Sequence, residues 1–211
     1  MKNFSIILGA IILMLFVTLV IWGVYCDNTI AITNYCVNNT KNDAKLKFVV
    51  ITDLHNKEYG EKNADLAELV KEQNPDFIAV CGDMVNRGDP DTTKMKDVLE
   101  KLSKIAPTYC CLGNHERDNA AKFGTDFKSE TDSTGAVLLD NEYIKFTKNG
   151  KSVLIGGMSD YPYYEFYTPD DDVPSRTLWE EFAEKAKNNF TILLHHQPEY
   201  IAEDAKKTDI D

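Results

Sequence analysis

The chain has 211 residues, 27% of them charged and 43% hydrophobic, an ordinary balance for one domain with a large core. Its formal net charge of −11 excludes the basic footprint of nonspecific nucleic-acid binding, so no stable nucleic-acid partner is expected. An anionic ligand would have to be attracted locally, and bound cations could do that.

Phe4 to Tyr25 carries no charge over about 22 residues, enough for a helix to cross about 30 Å of hydrocarbon. A cleaved signal peptide has a shorter apolar core that ends in small residues, whereas Trp22, Val24 and Tyr25 stand here. Residues 1–26 are therefore expected to be a retained membrane anchor and residues 27–211 the domain it carries. Lys2 precedes the span and few basic residues follow soon after it, which predicts a single-pass protein with its domain outside the cytoplasm. Cys26 and Cys36 could pair in that oxidising space, while Cys81, Cys110 and Cys111 lie in apolar runs and read as buried free thiols.

Thr29–Val37 alternates as a strand, and Asn38 to Asp43 is a polar turn. Lys45–Thr52 reads as a buried strand that ends in Asp53-Leu54-His55. Positions i and i+2 share a strand face, so Asp53 and His55 are expected to converge just past its end. Asn63 can cap a helix bearing Leu66, Leu69 and Val70, which stops near Asn74-Pro75. Asp76–Cys81 is the next strand and runs into Gly82-Asp83, giving a βαβ unit whose strands are parallel. After the loop Gly82–Gly88, Thr92–Lys104 is a helix with Met95, Val98, Leu99 and Leu102 on one face.

Pro107–Leu112 is a strand ending in Gly113-Asn114-His115-Glu116, followed by a helical stretch over Arg117–Phe127. Ala136–Leu139, Tyr143–Thr147 and Ser152–Gly156 are shorter strands expected to form a second sheet, the last two joined by a turn at Lys148–Lys151. Tyr161–Pro174 is aromatic and acidic without periodicity, a long loop in which Tyr161-Pro162-Tyr163-Tyr164 either lines a pocket or caps the core. Leu178–Asn188 is a helix, and Phe190–Leu194 is a strand that delivers His195-His196-Gln197-Pro198.

Carboxylate, amide and imidazole groups thus recur at four strand ends: Asp53 and His55, Asp83, Asn114 with His115, and His195-His196. Such a mixture of hard oxygen and borderline nitrogen donors suits Mn, Fe or Zn better than Ca or a thiolate site. Glycines before Asp83 and Asn114 permit tight backbone turns into a shared cleft. A carboxylate between two ions about 3.5–4 Å apart is the geometry of in-line attack on phosphorus.

Asp53-x-His55, Gly82-Asp83, Gly113-Asn114-His115-Glu116 and the later histidine, in this order over residues 47–198, resemble the calcineurin-like metallophosphoesterase superfamily, particularly its membrane-associated bacterial branch. The resemblance implies an α/β fold with a two-layered β-sheet core flanked by helices. It also implies a centre of two divalent metal ions that hydrolyses phosphate ester or pyrophosphate bonds through a metal-bound hydroxide. On that pattern Asp53 and His55 would bind the first metal, Asp83 would bridge both, and Asn114 and His196 would bind the second. His196 is preferred to His195 because the family has a single histidine after this strand, often close to a proline, and Pro198 follows here.

By the same resemblance His115 would serve the leaving-group oxygen, and Arg87 falls where one branch has a phosphate-binding arginine. Arg87 otherwise reads as a solvated loop residue. Asn86 stands where that branch has an Asp that orients the histidine, so either His115 is less basic or another acid such as Glu116 assists; Glu116 otherwise reads as a helix N-terminal acid. The expected substrate is a phosphorylated small molecule or a lipid-linked phosphate. The family's closing Gly-His-x-His segment is missing, since the histidines are His55, His115, His195 and His196 and the last residues are Thr208-Asp209-Ile210-Asp211. The resemblance therefore implies a C-terminally incomplete domain with weakened metal binding, and a noncatalytic tethered domain is the alternative.

Overall fold

The computed structural model describes residues 2–37, 41, 45–158 and 173–211, in two compact units, Met1–Val37 and Asn38–Asp211. The first unit is a helix, α1 (Lys2–Asp27), followed by exposed coil. Its apolar side chains from Phe4 to Tyr25 are exposed, and it is long and apolar enough to cross a membrane. Thr29–Val37 is not the expected strand: among the described residues no neighbouring strand takes up its N–H and C=O groups. Cys26 and Cys36 are free, exposed thiols rather than a pair. The expected turn at 38–43 lies, apart from Lys41, outside the described residues.

The second unit is an α/β sandwich of two sheets with helices outside them. The first sheet is parallel throughout, in the order β1 (Phe48–Ile51), β2 (Phe77–Cys81), β3 (Thr108–Cys111), β4 (Val137–Leu138). The second contains β5 (Glu142–Lys148), β6 (Lys151–Gly157) and β7 (Phe190–Leu194), with β5 antiparallel and β7 parallel to β6. Between the sheets lie Phe77, Ala79, Cys111, Leu139, Val153, Ile155 and Leu194. On the outer face of the first sheet, α3 (Thr93–Ser103) contributes Met95 and Leu99 and α5 (Phe127–Asp132) contributes Phe127 against Val80, Cys110 and Leu138. On the second, Leu178 of α6 (Val173–Ala186) packs with Met158 and Ile201.

β1 is an edge strand rather than a buried one, with Phe48 38% and Val50 55% exposed. β2, flanked on both sides, is the buried strand, which its unbroken apolar sequence suits. β4 joins the first sheet beside β3 and not the second, so the run Ala136–Leu139 extends the parallel layer. The helix between β1 and β2 also begins differently. Asn63 has a left-handed backbone, and its Oδ1 accepts the Tyr59 N–H (3.0 Å) instead of capping α2 (Ala64–Glu72).

The stretch read as one helix over Arg117–Phe127 is two. α4 (Asn114–Phe123) starts three residues early because Glu116 reaches back to the Gly113 N–H at 2.9 Å, and it stops at left-handed Gly124. α5 then begins under Asp126, whose carboxylate accepts the Ser129 N–H at 3.0 Å. Residues 159–172, including Tyr161-Pro162-Tyr163-Tyr164 and most of the expected loop, lie outside the described residues; Val173 and Pro174 open α6. The chain ends after a short helix, α7 (Ala202–Ala205), with Asp211 accepting the Thr191 N–H at 3.1 Å.

Candidate metal centre

The carboxyl ends of β1, β2, β3 and β7 come together, and the loops beyond them are unusually bent. Asp53, His55, Asn56 and Asp83 all have left-handed backbones, with φ of 56°, 49°, 55° and 52°. Asp53 and His55 therefore do not converge by strand alternation, since β1 has already ended at Ile51. Each such residue costs on the order of 1–3 kcal/mol, and conformations of this kind persist only where neighbours enforce them. Here the two loops are laced together as a continuation of the β1–β2 pairing. Asp53 N–H donates to Gly82 O (3.1 Å), His55 N–H to Asp83 O (3.0 Å) and Asn56 N–H to Met84 O (3.0 Å).

The glycines act through contact as well as through φ. A Cβ on Gly82, itself at φ 76°, would run into the backbone of Gly113, and one on Gly113 would strike the Asp83 carboxylate. Their absence lets the β2 and β3 loops touch, which is what delivers α4's first turn to Asp83.

Asp83 is the hub. Its side chain is 5% exposed; Oδ2 lies 3.3 Å from His196 Nε2 and 3.6 Å from His115 Nε2, while Oδ1 accepts the His115 N–H at 2.9 Å. Asp53 Oδ1 lies 3.4 Å from His55 Nε2, and the rings of His55 and His115 stand 4.7 Å apart. Two overlapping donor groups result, His55–Asp83–His115 and Asp53–Asp83–His196, each with its ligand atoms within 4.8 Å of one another. Their mixture of carboxylate and imidazole fits divalent cations of the Mn, Fe or Zn kind. Asp53 and His55 are the exposed rim, at 50% and 39%, and Asp83 and His196 the floor.

The histidine tautomers bear on this fit. His196 Nδ1 lies 2.8 Å from the Cys81 carbonyl, an oxygen that can only accept, so Nδ1 carries a proton and Nε2, 3.3 Å from Asp83 Oδ2, is the ring atom left to face a cation. His195 is buried beside it and its Nδ1 accepts the Gln197 N–H at 3.2 Å, away from the donor groups. His115 Nδ1 sits 3.1 Å from both the Val85 carbonyl and the Arg87 N–H, so either tautomer has a partner. For Asp83, burial pushes the carboxyl up, but the His196 ring and the His115 N–H outweigh burial and hold it below the usual carboxylate range.

The remaining expected residues fall as follows. Asn114 opens α4, half-buried, directly after the Gly113 contact. Arg87 is 57% exposed and its Nε pairs with Asp118 at 2.9 Å, while its backbone N–H donates to His115 Nδ1 at 3.1 Å. Glu116 makes no bond to the His115 ring; its carboxylate is buried against backbone N–H groups of the Asp83 loop. Asn119, a residue that sequence reasoning passed over, binds the far end of the same loop: Gly88 N–H to Oδ1, and Nδ2 to the carbonyls of Asn86 and Asp89. Its spacing of one helical turn from Glu116 was the available signal.

Comparison with known proteins identifies the family. The family model of the calcineurin-like phosphoesterases matches residues 46–210. The uncharacterized metallophosphoesterase YkoQ of Bacillus subtilis (strain 168) is 25% identical over 160 residues, 74% of this chain and 55% of its own length. The phosphodiesterase YaeI of Escherichia coli (strain K12) is 30% identical over 119 residues, 54% of this chain and 44% of its own. The uncharacterized protein YpbG of Bacillus subtilis (strain 168) is 23% identical over 168 residues, 77% of this chain and 57% of its own. The chain thus spans about half the length of these relatives. With four motifs gathered at one edge of a two-sheet core and a family match over nearly all of the second unit, the chain belongs to the calcineurin-like phosphoesterase family.

Proposed function

We propose that the chain is a membrane-anchored phosphohydrolase that uses two divalent cations to cleave phosphate ester or pyrophosphate bonds with water. The observation that carries this reading is the sharing of Asp83 by both donor groups, because one carboxylate with two oxygens can serve two ions at once. The motif pattern pairs Asp53 with His55 and Asn114 with His196, but the donor groups support a different division: Asp53 and His196 would hold one cation with Asp83, and His55 the other with Asp83, with the Asn114 side chain at the start of α4 as a further candidate. When bound, such ions act as Lewis acids toward phosphoryl oxygens and lower the pKa of water.

His115 keeps the proton at Nε2 when Nδ1 accepts the Arg87 N–H, and in that tautomer it can donate to the leaving oxygen. Arg87, at the exposed rim, would exchange its Asp118 partner for a phosphate, to which its planar fork binds bidentately. α1 would be the retained anchor, and the paucity of basic residues after it supports a domain outside the cytoplasm. That location suits a lipid-linked phosphate as well as a soluble one.

The test is hydrolysis of bis(p-nitrophenyl) phosphate and p-nitrophenyl phosphate by the full chain with Mn²⁺, and its loss in Asp83→Asn. The diester belongs in the assay because the E. coli relative is a phosphodiesterase. Equal activity of Asp83→Asn would reject the assignment, and weak metal uptake without turnover of either ester would leave the noncatalytic tethered domain with an incomplete metal site as the reading.

A further inference from the structure

Glu116 is 2% exposed, yet its carboxylate neither touches a ligand atom nor pairs with a cation among the described residues. It accepts four backbone N–H groups instead. Oε2 takes Asp83 N–H at 2.8 Å and Gly113 N–H at 2.9 Å; Oε1 takes Met84 N–H at 2.7 Å and Val85 N–H at 3.2 Å. Three of those four belong to the turn that carries Asp83, and the fourth belongs to the glycine packed against Asp83's carboxylate.

The chemistry is specific to a carboxylate. Two oxygens offer about four lone-pair sites, one for each N–H, whereas a carboxamide has a single oxygen and would turn its NH₂ toward two of the donors. The bonds also converge on a residue in a disfavoured state, since Asp83 has φ 52° and cannot be held there by its own preferences. Asn119, one turn further along α4, secures only Asn86 to Asp89. One helix therefore holds a single loop at two separate points, and only the first bears on the hub of the donor groups.

We propose that Glu116 is a positioning residue of the metal centre, acting through Asp83: its carboxylate fixes the left-handed turn from which Asp83 reaches both donor groups. This rests on the phosphoesterase reading above. The metal's own attraction for Asp83 does not replace the clamp, because groups that orient metal ligands typically change affinity by about 10-fold to 100-fold when removed.

The experiment compares the full chain in detergent with Glu116→Gln, Glu116→Asp and Asn119→Ala. Three measurements are made well below every melting temperature: Mn²⁺ affinity by calorimetry, the visible spectrum of the Co²⁺-loaded protein, and amide exchange of residues 82–85 in the metal-free state. Glu116→Gln should bind Mn²⁺ at least about 10-fold more weakly, shift the Co²⁺ spectrum and exchange faster at 82–85. Glu116→Asp, with its carboxylate retained but one methylene short, should fall between it and the parent. Asn119→Ala should stay within about twofold of the parent in Mn²⁺ affinity, a merely local loosening of Asn86–Asp89.

Parent-like affinity in Glu116→Gln, or in Glu116→Asp should the first variant not fold, overturns the role of Glu116 and leaves the phosphoesterase reading standing. Equal weakening by Glu116→Gln and Asn119→Ala overturns it too, as general loosening of the loop. Failure of the parent chain to take up Mn²⁺ overturns the phosphoesterase reading and this role with it.

Discussion

His196 Nε2 meets Asp83 Oδ2 at 3.3 Å, and that contact joins the tips of strands from different sheets. β2 supplies the carboxylate and β7 the imidazole, while the Cys81 carbonyl at the end of β2 holds the far side of the same ring. Closing the sandwich and assembling the donor groups are thus one event. A backbone carbonyl on the opposing sheet also aims the ring without any bound ion.

The neighbouring histidines should separate cleanly. His196→Ala removes a lone pair from the floor of the site and is expected to weaken Mn²⁺ binding about 10-fold or more, as seen by calorimetry. His195→Ala leaves the donor groups intact but empties a buried position, and should lower stability by roughly 1–3 kcal/mol in urea unfolding with Mn²⁺ affinity kept. The reverse pattern would exchange their roles.

Acid should act on the metal-free protein through Asp83. Its carboxyl is held below the usual range in the folded state, so the unfolded chain binds the proton more readily. The stabilisation is present in full above the unfolded value of about 3.9 and is lost as pH falls through the lower, folded value. Urea midpoints measured from pH 6 down to pH 3 should show a drop at the acid end, and Asp83→Asn should flatten it. An identical slope in that variant would show that other carboxylates carry the acid sensitivity.

Two glycines with similar positive φ should respond very differently to alanine. Gly150, at φ 75° in the β5–β6 turn beside Asn149, has open space where a Cβ would go, so Gly150→Ala costs only the conformational strain, about 1 kcal/mol. Gly82→Ala adds a collision with the Gly113 backbone and should cost several times as much, on the order of 3 kcal/mol, by thermal melts. It should also weaken Mn²⁺ binding, because the Asp83 loop must move.

Arg87→Ala should leave the melting temperature nearly unchanged, since an ion pair as exposed as Arg87–Asp118 contributes well under about 1 kcal/mol. If the guanidinium serves the substrate, KM for the aryl phosphates should rise about 10-fold with kcat much less affected. An unaltered KM would make it a solvated loop arginine.

Sequence alone determined the elements of the parallel layer and the residues at their ends. Unbroken apolar runs identify β2 and β3, helical spacing places Met95, Val98, Leu99 and Leu102 inward, and the four polar strand ends stand out because apolar runs stop so abruptly at them. Period-2 and period-3.6 patterns are local, so they survive in one dimension. Tertiary structure decided everything that depends on a neighbour. β1 became an edge strand and β4 joined the first sheet because pairing is a relation between distant segments. Asp53 and His55 converge through left-handed turns held by the next loop, and Glu116 and Asn119 matter only because α4 lies against the loop they hold. A buried carboxylate bonded to backbone N–H groups leaves no pattern in the sequence, because every residue has such a group to offer and only the fold chooses which.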